Sequence, residues 1–384
     1  MMGFTFNFWY KIFERHEKRH TGMRRHILIK QCIIIKAVSL LTMVLSIMTG
    51  LVFYGCMLQT RLKGSDVNNS VLSQESLSAR DFHEQAKTAC NKGQFESAIT
   101  NWVQAEKMFG KNKNTAGQCM VMVELSRAYE TTGQSNKALE ILEKALSLAE
   151  SSGNRFLQAS VLNQLGNLHT VSGNTVPAET CLARSLSIAQ KLDDPVLTAS
   201  ILNHQGNLYL VRKNFPAAVQ TYASSAAHSK TGKNLLLTGT AQINQARACL
   251  ENNDVTGIRT LLEDAVNNLH RLKDSRNKAL GLIQAGLAWQ TLENLQPGPG
   301  NEMLRRCHTL FSQAARIAQR LGDHRTASYA LGYSGKLHED AHQYADALTM
   351  TRKAVLSVQQ VYAPESLYRW QWQTGRILKQ MNNT

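Results

Sequence analysis

His338-Glu339-Asp340-Ala341-His342 is the first stretch whose residue types could do chemistry. An H-E-x-x-H on one helix sets two imidazoles four apart on one face, where they can share a zinc ion while the Glu acts as base. Here the repeat register set out below puts His338 in a column that packs between helices and His342 in a turn. No third ligand falls nearby, so the match reads as coincidence and no metal is expected. The other reactive candidates are seven cysteines: Cys32, Cys56, Cys90, Cys119, Cys181, Cys249 and Cys307. They are scattered, odd in number and without a C-x-x-C, which is neither a disulfide framework nor a zinc site. Small apolar fillers between helices is the reading for most of them. Every candidate nucleophile sits in a packing column or lacks a base, so the sequence offers no enzyme and calls for no cofactor.

Binding chemistry is better represented. Asn163 and Asn167 stand four apart, and Asn203 and Asn207 repeat them 40 residues later. An amide carries both a donor and an acceptor, so such a ladder could pair with the backbone of an extended peptide whatever its side chains. Arg127 and Arg247 occupy the Asn167 column in neighbouring units, and Lys336 and Arg376 occupy it further along. These positions belong to the first helix of each unit, on the face that would line a concave groove. The groove is then polar in its middle and basic toward its carboxyl end, which suits an acidic or carboxylate-bearing ligand. The plainer alternative is that the amides solvate the groove or bond across adjacent helices.

What must position these residues is a repeat. The pair Gly93 and Ala98 recurs as Gly133 and Ala138, Gly173 and Ala178, Lys213 and Ala218, and Asn253 and Ile258, each step being 40 residues. Seven positions after each pair comes another small residue: Ala105, Ala145, Ser185, Ser225 and Ala265. A Pro/Gly-rich insertion around Gln296–Gly300 adds nine residues, after which the register resumes with Ala314, Ala347 and Ala354. Each unit predicts two amphipathic helices: Val121, Leu125, Ala128 and Tyr129 follow helical spacing over 116–131, and Ala138, Ile141, Leu142, Ala145 and Leu148 follow it over 136–149. Gly133 between the two helices and Gly153 after the second suit carboxyl-terminal caps with positive φ. Trp102 and Trp289 fall at or near packing columns and are expected in the core. Tyr368, Trp370 and Trp372 either pack a capping helix or form an exposed patch for a partner.

At this point a resemblance becomes specific. Leu125-Ser126-x2-Tyr129 with Gly133, Ala138, Leu142 and Ala145 resembles the tetratricopeptide pattern, and Leu165-Gly166-x2-His169 and Gln205-Gly206-x2-Tyr209 continue it. The usual unit is about 34 residues, so this chain is similar to the 40-residue variant of kinesin light-chain type. The resemblance implies an all-α, right-handed superhelical solenoid over 79–384, with about seven hairpins between 79 and 361 and a terminal first helix over 364–381. It also implies a scaffold that binds protein or peptide through its concave face. The run from Thr326 to Gln380 further resembles the repeat segment of bacterial proteins that continue into a CHAT domain, a caspase-like protease fold. No residue of that catalytic domain is present here. The second function to weigh is therefore the recruiting half of a split or truncated CHAT protease.

The amino-terminal residues are of another kind. The formal net charge of the chain is +15. Residues 1–36 carry eight Lys/Arg against Glu14 and Glu17, while the remaining excess forms no block, which excludes a basic nucleic-acid face. From Ala37 to Leu58 there are 22 residues without a charge, enough at helical rise for about 33 Å and a bilayer's hydrocarbon core. With the basic flank before it, 37–60 is expected to be a transmembrane signal anchor of the inner membrane. Residues 1–36 would then be cytoplasmic, 61–78 a polar tether, and the repeats periplasmic. A lipoprotein anchored at Cys56 and an ordinary cleaved signal are the rivals.

Overall fold

Every twentieth residue from Gly93 to Asn253 has a positive φ, between +51° and +78°. A residue in this left-handed conformation just past a helix lets the chain turn back while the last carbonyls stay bonded. The next residue is most often Asn or Asp, and its side chain caps the following helix. Asn114 accepts from the Gly117 amide, Asn154 from Leu157, Asn214 from Ala217 and Asn234 from Leu237, at 2.9 to 3.3 Å. The repeat is thus a cycle of one 17-residue helix and three linking residues, run twice per unit.

The computed structural model describes residues 78–296, 302–361 and 363–382. These form an all-α solenoid with no strand among the described residues. The first four hairpins are α1 Ala79–Asn91 with α2 Phe95–Lys111, α3 Thr115–Thr131 with α4 Ser135–Ser151, α5 Arg155–Val171 with α6 Thr175–Lys191, and α7 Pro195–Val211 with α8 Phe215–Thr231. Three more follow: α9 Leu235–Glu251 with α10 Ile258–His270, α11 Arg276–Leu295 with α12 Glu302–Leu321, and α13 His324–Asp340 with α14 Tyr344–Val358. A last helix, α15 Pro364–Asn382, follows the seventh hairpin. The expected succession of seven hairpins and one further helix is what the structure shows. Near the insertion, α11 and α12 lengthen to 20 residues each.

Small residues set how closely the helices of a hairpin approach. A Cβ on Gly166 would lie 2.5 Å from Leu182, one on Gly206 2.5 Å from Tyr222, and one on Gly286 2.6 Å from Phe311. Each glycine of the first helix therefore seats a bulky side chain of the second. Buried Ser185 and Ser225 donate to the Ala159 and Ala199 carbonyls, both at 2.7 Å, which satisfies the hydroxyls across the same seam. Trp102 and Trp289 are fully buried, as their columns predict. Trp370 is buried too, whereas Trp372 and Tyr368 on the same helix are 61% and 69% exposed.

From α3 onward, each first helix packs against the first helix of the next hairpin. Second helices stand further apart and are bridged by long side chains, such as Arg184 to Glu150 and Arg306 to Glu263. The array therefore curves toward its first helices, whose free faces line the concave side. The curvature also brings distant hairpins together. Phe95, at the start of α2, is buried beneath the guanidinium of Arg276 at 4.9 Å and that of Arg325 at 5.7 Å. Arg276 pairs with the fully buried Asp323 at 3.1 Å, and Arg325 reaches the carbonyl of Thr131, 194 positions away.

The segment 37–60 and the cysteines 32 and 56 lie outside the described residues. Among the described residues no helix is long and apolar enough to cross a membrane.

Candidate functional site

The concave face is built by α3, α5, α7, α9, α11, α13 and α15, and its two halves differ in what the same columns carry. In the amino-terminal half, polar side chains are engaged between neighbouring first helices. Asn163 is buried; its amide donates to Ser200 at 3.0 Å and its carbonyl lies 2.8 Å from His204 Nδ1. That arrangement calls for the Nδ1–H tautomer. Burial, with the charge of Arg127 nearby, pushes the His204 imidazole down to about 4, so it is neutral at physiological pH. Asn203 is likewise buried and accepts from Asn244 at 3.1 Å. Gln164 accepts from Arg127 at 3.1 Å and donates to Glu130 at 3.3 Å, where burial raises the carboxyl.

Of the four asparagines read as a peptide ladder, Asn163 and Asn203 thus have their amides committed between helices. Asn167 and Asn207 are half-buried at the groove, and Asn207 accepts from the buried Tyr222 hydroxyl at 2.6 Å. The physical reason is spacing. Positions 163 and 203 face the helix one repeat on, whose residues 200, 204 and 244 come within hydrogen-bond reach.

The basic column also divides. Arg127 pairs with Glu124 at 3.1 Å, Lys336 with Asp340, and Arg376 binds Glu339 through two nitrogens at 3.0 and 2.9 Å. Arg247 is exposed and has no ion pair or hydrogen bond from its side chain among the described residues. It stands at the edge of an opening of about 480 Å³ between α9, α11 and α13. Leu280, Leu287, Tyr329 and Tyr333 give this opening an apolar and aromatic wall, and Glu251, Gln284 and Thr291 join Arg247 as its polar groups. Tyr329 and Tyr333 stack at 6.2 Å, both edge onto Trp370, and Arg369 donates to the Tyr333 hydroxyl at 2.7 Å. The wall is therefore held from behind.

In the column that carries Arg127, Asn167, Asn207, Arg247, Lys336 and Arg376, the sixth hairpin carries Leu287, which forms part of the apolar wall. Sequence reasoning followed the cations and amides of this column and so passed over Leu287. The aromatic wall was equally missed, although Tyr329 and Tyr333 share a helical face four apart.

The H-E-x-x-H residues are not brought together as ligands. His338 lies in the last turn of α13, 2.7 Å from Gln343, while His342 has left the helix at φ +58° and lies 2.9 Å from the Tyr344 hydroxyl. Among the described residues no group of His, Cys, Asp and Glu is placed to hold a metal. The cysteines Cys90, Cys119, Cys181, Cys249 and Cys307 are all free thiols. Burial raises each of them, Cys307 to about 12, which keeps them protonated and weakly nucleophilic.

Residues 117–191 match the tetratricopeptide repeat family. No curated protein matches the chain. Among solved structures, the chain is similar to kinesin light chain TPR-like repeats from Podosopora anserina, with 19% identity, 49% of this chain and 93% of that one covered, and a TM-score of 0.39. It is also similar to BtubC from P. vanneervenii, with 16% identity, 66% and 91% covered and a TM-score of 0.42. The apo quorum sensor NprR from B. thuringiensis is similar at 13% identity, with 73% and 76% covered and a TM-score of 0.49.

Proposed function

We propose that this tetratricopeptide-repeat array is a binding scaffold that holds an extended peptide segment in the carboxyl-terminal half of its concave face. Arg247 would pair with an acidic side chain or terminal carboxylate of that segment, and an apolar side chain would enter the opening lined by Leu280, Leu287, Tyr329 and Tyr333. The observation that carries this reading is the unpaired guanidinium of Arg247 beside that apolar wall. A solvated cation next to apolar surface offers a directional anchor together with area to bury. Asn207 and Asn167, half-buried one and two hairpins upstream, would meet the backbone of a longer ligand.

The reading is tested by presenting the full chain to peptide arrays that vary charge and apolar content. Peptides with an acidic group and a large apolar residue should bind preferentially. Arg247→Glu should weaken the best of them at least tenfold, while Arg376→Ala, whose guanidinium is already held by Glu339, should change binding less than twofold. Binding that ignores peptide charge, or that survives Arg247→Glu, would refute it.

Two finer proposals accompany this one. The uncharged run 37–58 supports a single-pass tether with the repeats on the periplasmic side, which proteolysis of the repeats in spheroplasts would detect; protection there would overturn the orientation. The likeness of 326–380 to repeats that precede a CHAT domain supports a protease of that type as one partner. The corresponding test is whether a neighbouring reading frame encodes a His/Cys protease domain that copurifies with this chain.

A further inference from the structure

Helix α15 carries a face for which the described residues supply no cover. Its buried stripe, Ser366, Trp370, Gln373 and Ile377, packs back onto the seventh hairpin. The opposite stripe holds Tyr368 and Trp372, 69% and 61% exposed, then Gly375, Leu378 and Lys379. Gly375 falls in the same repeat column as Gly166, Gly206 and Gly286. Each of those seats a bulky side chain of a second helix against its bare Cα, whereas a Cβ on Gly375 would meet nothing within 4 Å. Among the described residues, α15 is thus a first helix whose seat for a partner helix is open.

We propose that the seat is filled by α15 of a second copy of this chain, the two helices running antiparallel about a two-fold axis near Trp372. Three observations favour this occupant. In every intact hairpin the second helix runs antiparallel to the first, and a two-fold pairing supplies that orientation. Tyr368 and Gly375 are seven residues apart, two helical turns, on one face. An antiparallel pairing centred between 371 and 372 sets Tyr368 of each copy over Gly375 of the other, as Tyr222 sits over Gly206. The same centre brings Lys379, which makes no ion pair among the described residues, toward Glu365 of the second copy. Glu365 is half-exposed and uses one oxygen, Oε1, for Arg325 at 2.7 Å, which leaves the other free. Large residue over notch, and cation over anion, are matched reciprocally by one symmetry operation.

The test is sedimentation of the full chain in mild detergent, together with directed cross-linking. Wild type should associate to dimers at micromolar concentration. Gly375→Trp, which fills the notch, and Tyr368→Ala, which removes the knob, should each weaken association at least tenfold with unchanged circular dichroism. Since both positions are exposed, neither variant threatens the fold. An oxidised mixture of Tyr368→Cys and Gly375→Cys chains should yield the 368–375 cross-linked peptide in preference to 368–368. A monomeric wild type, including one whose α15 face is protected by another segment or needs another protein, would overturn the proposal. So would a dimer that both variants leave intact, or one whose cross-links run 368 to 368.

Discussion

The two halves of the concave face use the same repeat columns to opposite ends. Between Asn163 and Asn244 the first helices are tied to one another by side-chain amides, a hydroxyl and a neutral imidazole. Between Arg247 and Tyr333 the same columns carry an unpaired guanidinium, a leucine and two tyrosine rings, and these line an opening. A column fixes where a side chain starts; the helix one repeat further on decides whether that side chain is already bonded. Polarity along a groove therefore does not measure what the groove can offer a ligand.

The contrast can be broken most forcefully at its aromatic end. Trp370 is fully buried behind Tyr329 and Tyr333, and Trp370→Ala should destabilise the carboxyl-terminal hairpins by about 3–5 kcal/mol. Because each repeat packs mainly on its neighbours, with Arg276 and Arg325 at Phe95 and Thr131 among the contacts between distant hairpins, the loss should fall chiefly on the carboxyl-terminal hairpins. Limited proteolysis should open 324–382 first and spare 115–231; simultaneous digestion of both would deny that the halves are energetically separate.

At the polar end the expected effect is smaller and falls on stability rather than binding. Asn163→Leu strands His204 and the Ser200 hydroxyl, and should destabilise the array by about 1–3 kcal/mol. Peptide affinity should remain unchanged, in contrast with Arg247→Glu, which should weaken affinity at least tenfold and leave the melting temperature alone. Exchange of these two phenotypes would invert the assignment of the halves.

His204 adds a pH dependence to the polar half alone. Its folded value is depressed to about 4 from an ordinary value near 6.5, so the folded state holds fewer protons than the unfolded one as pH falls. The stability contributed is present above about 6.5 and is lost on descending from there to about 4. Between pH 7 and pH 5 the loss should be on the order of 1–2 kcal/mol. His204→Gln should flatten the pH dependence of melting, and an unchanged slope would refute the assignment.

The smallest effect is expected in a turn. Lys213 holds φ +57°, where the other turns of the cycle often use Gly. Lys213→Gly should stabilise the array by about 0.5–1 kcal/mol through relief of that strain, measured by urea unfolding, with no effect on either half of the groove.

The period was legible because it is written in small residues whose spacing repeats every 40 positions. From it followed the hairpins, the burial of Trp102 and Trp289 and the departure of His342 from its helix. The asparagines were visible as a ladder, yet their engagement was not, since it depends on residues 37 and 41 positions away across a packed interface. Leu287 stands in the basic column but carries neither charge nor amide, so a reading that followed polar groups passed over it.

The sequence by itself determined the helices and their order, because caps, left-handed turns and small packing residues act over a few positions along the chain. The tertiary structure decided which polar groups remain free and where the groove opens. It also decided that Phe95 meets Arg276 and Arg325 from hairpins far along the chain. These outcomes depend on the curvature summed over seven hairpins, and no local pattern of residues encodes that sum.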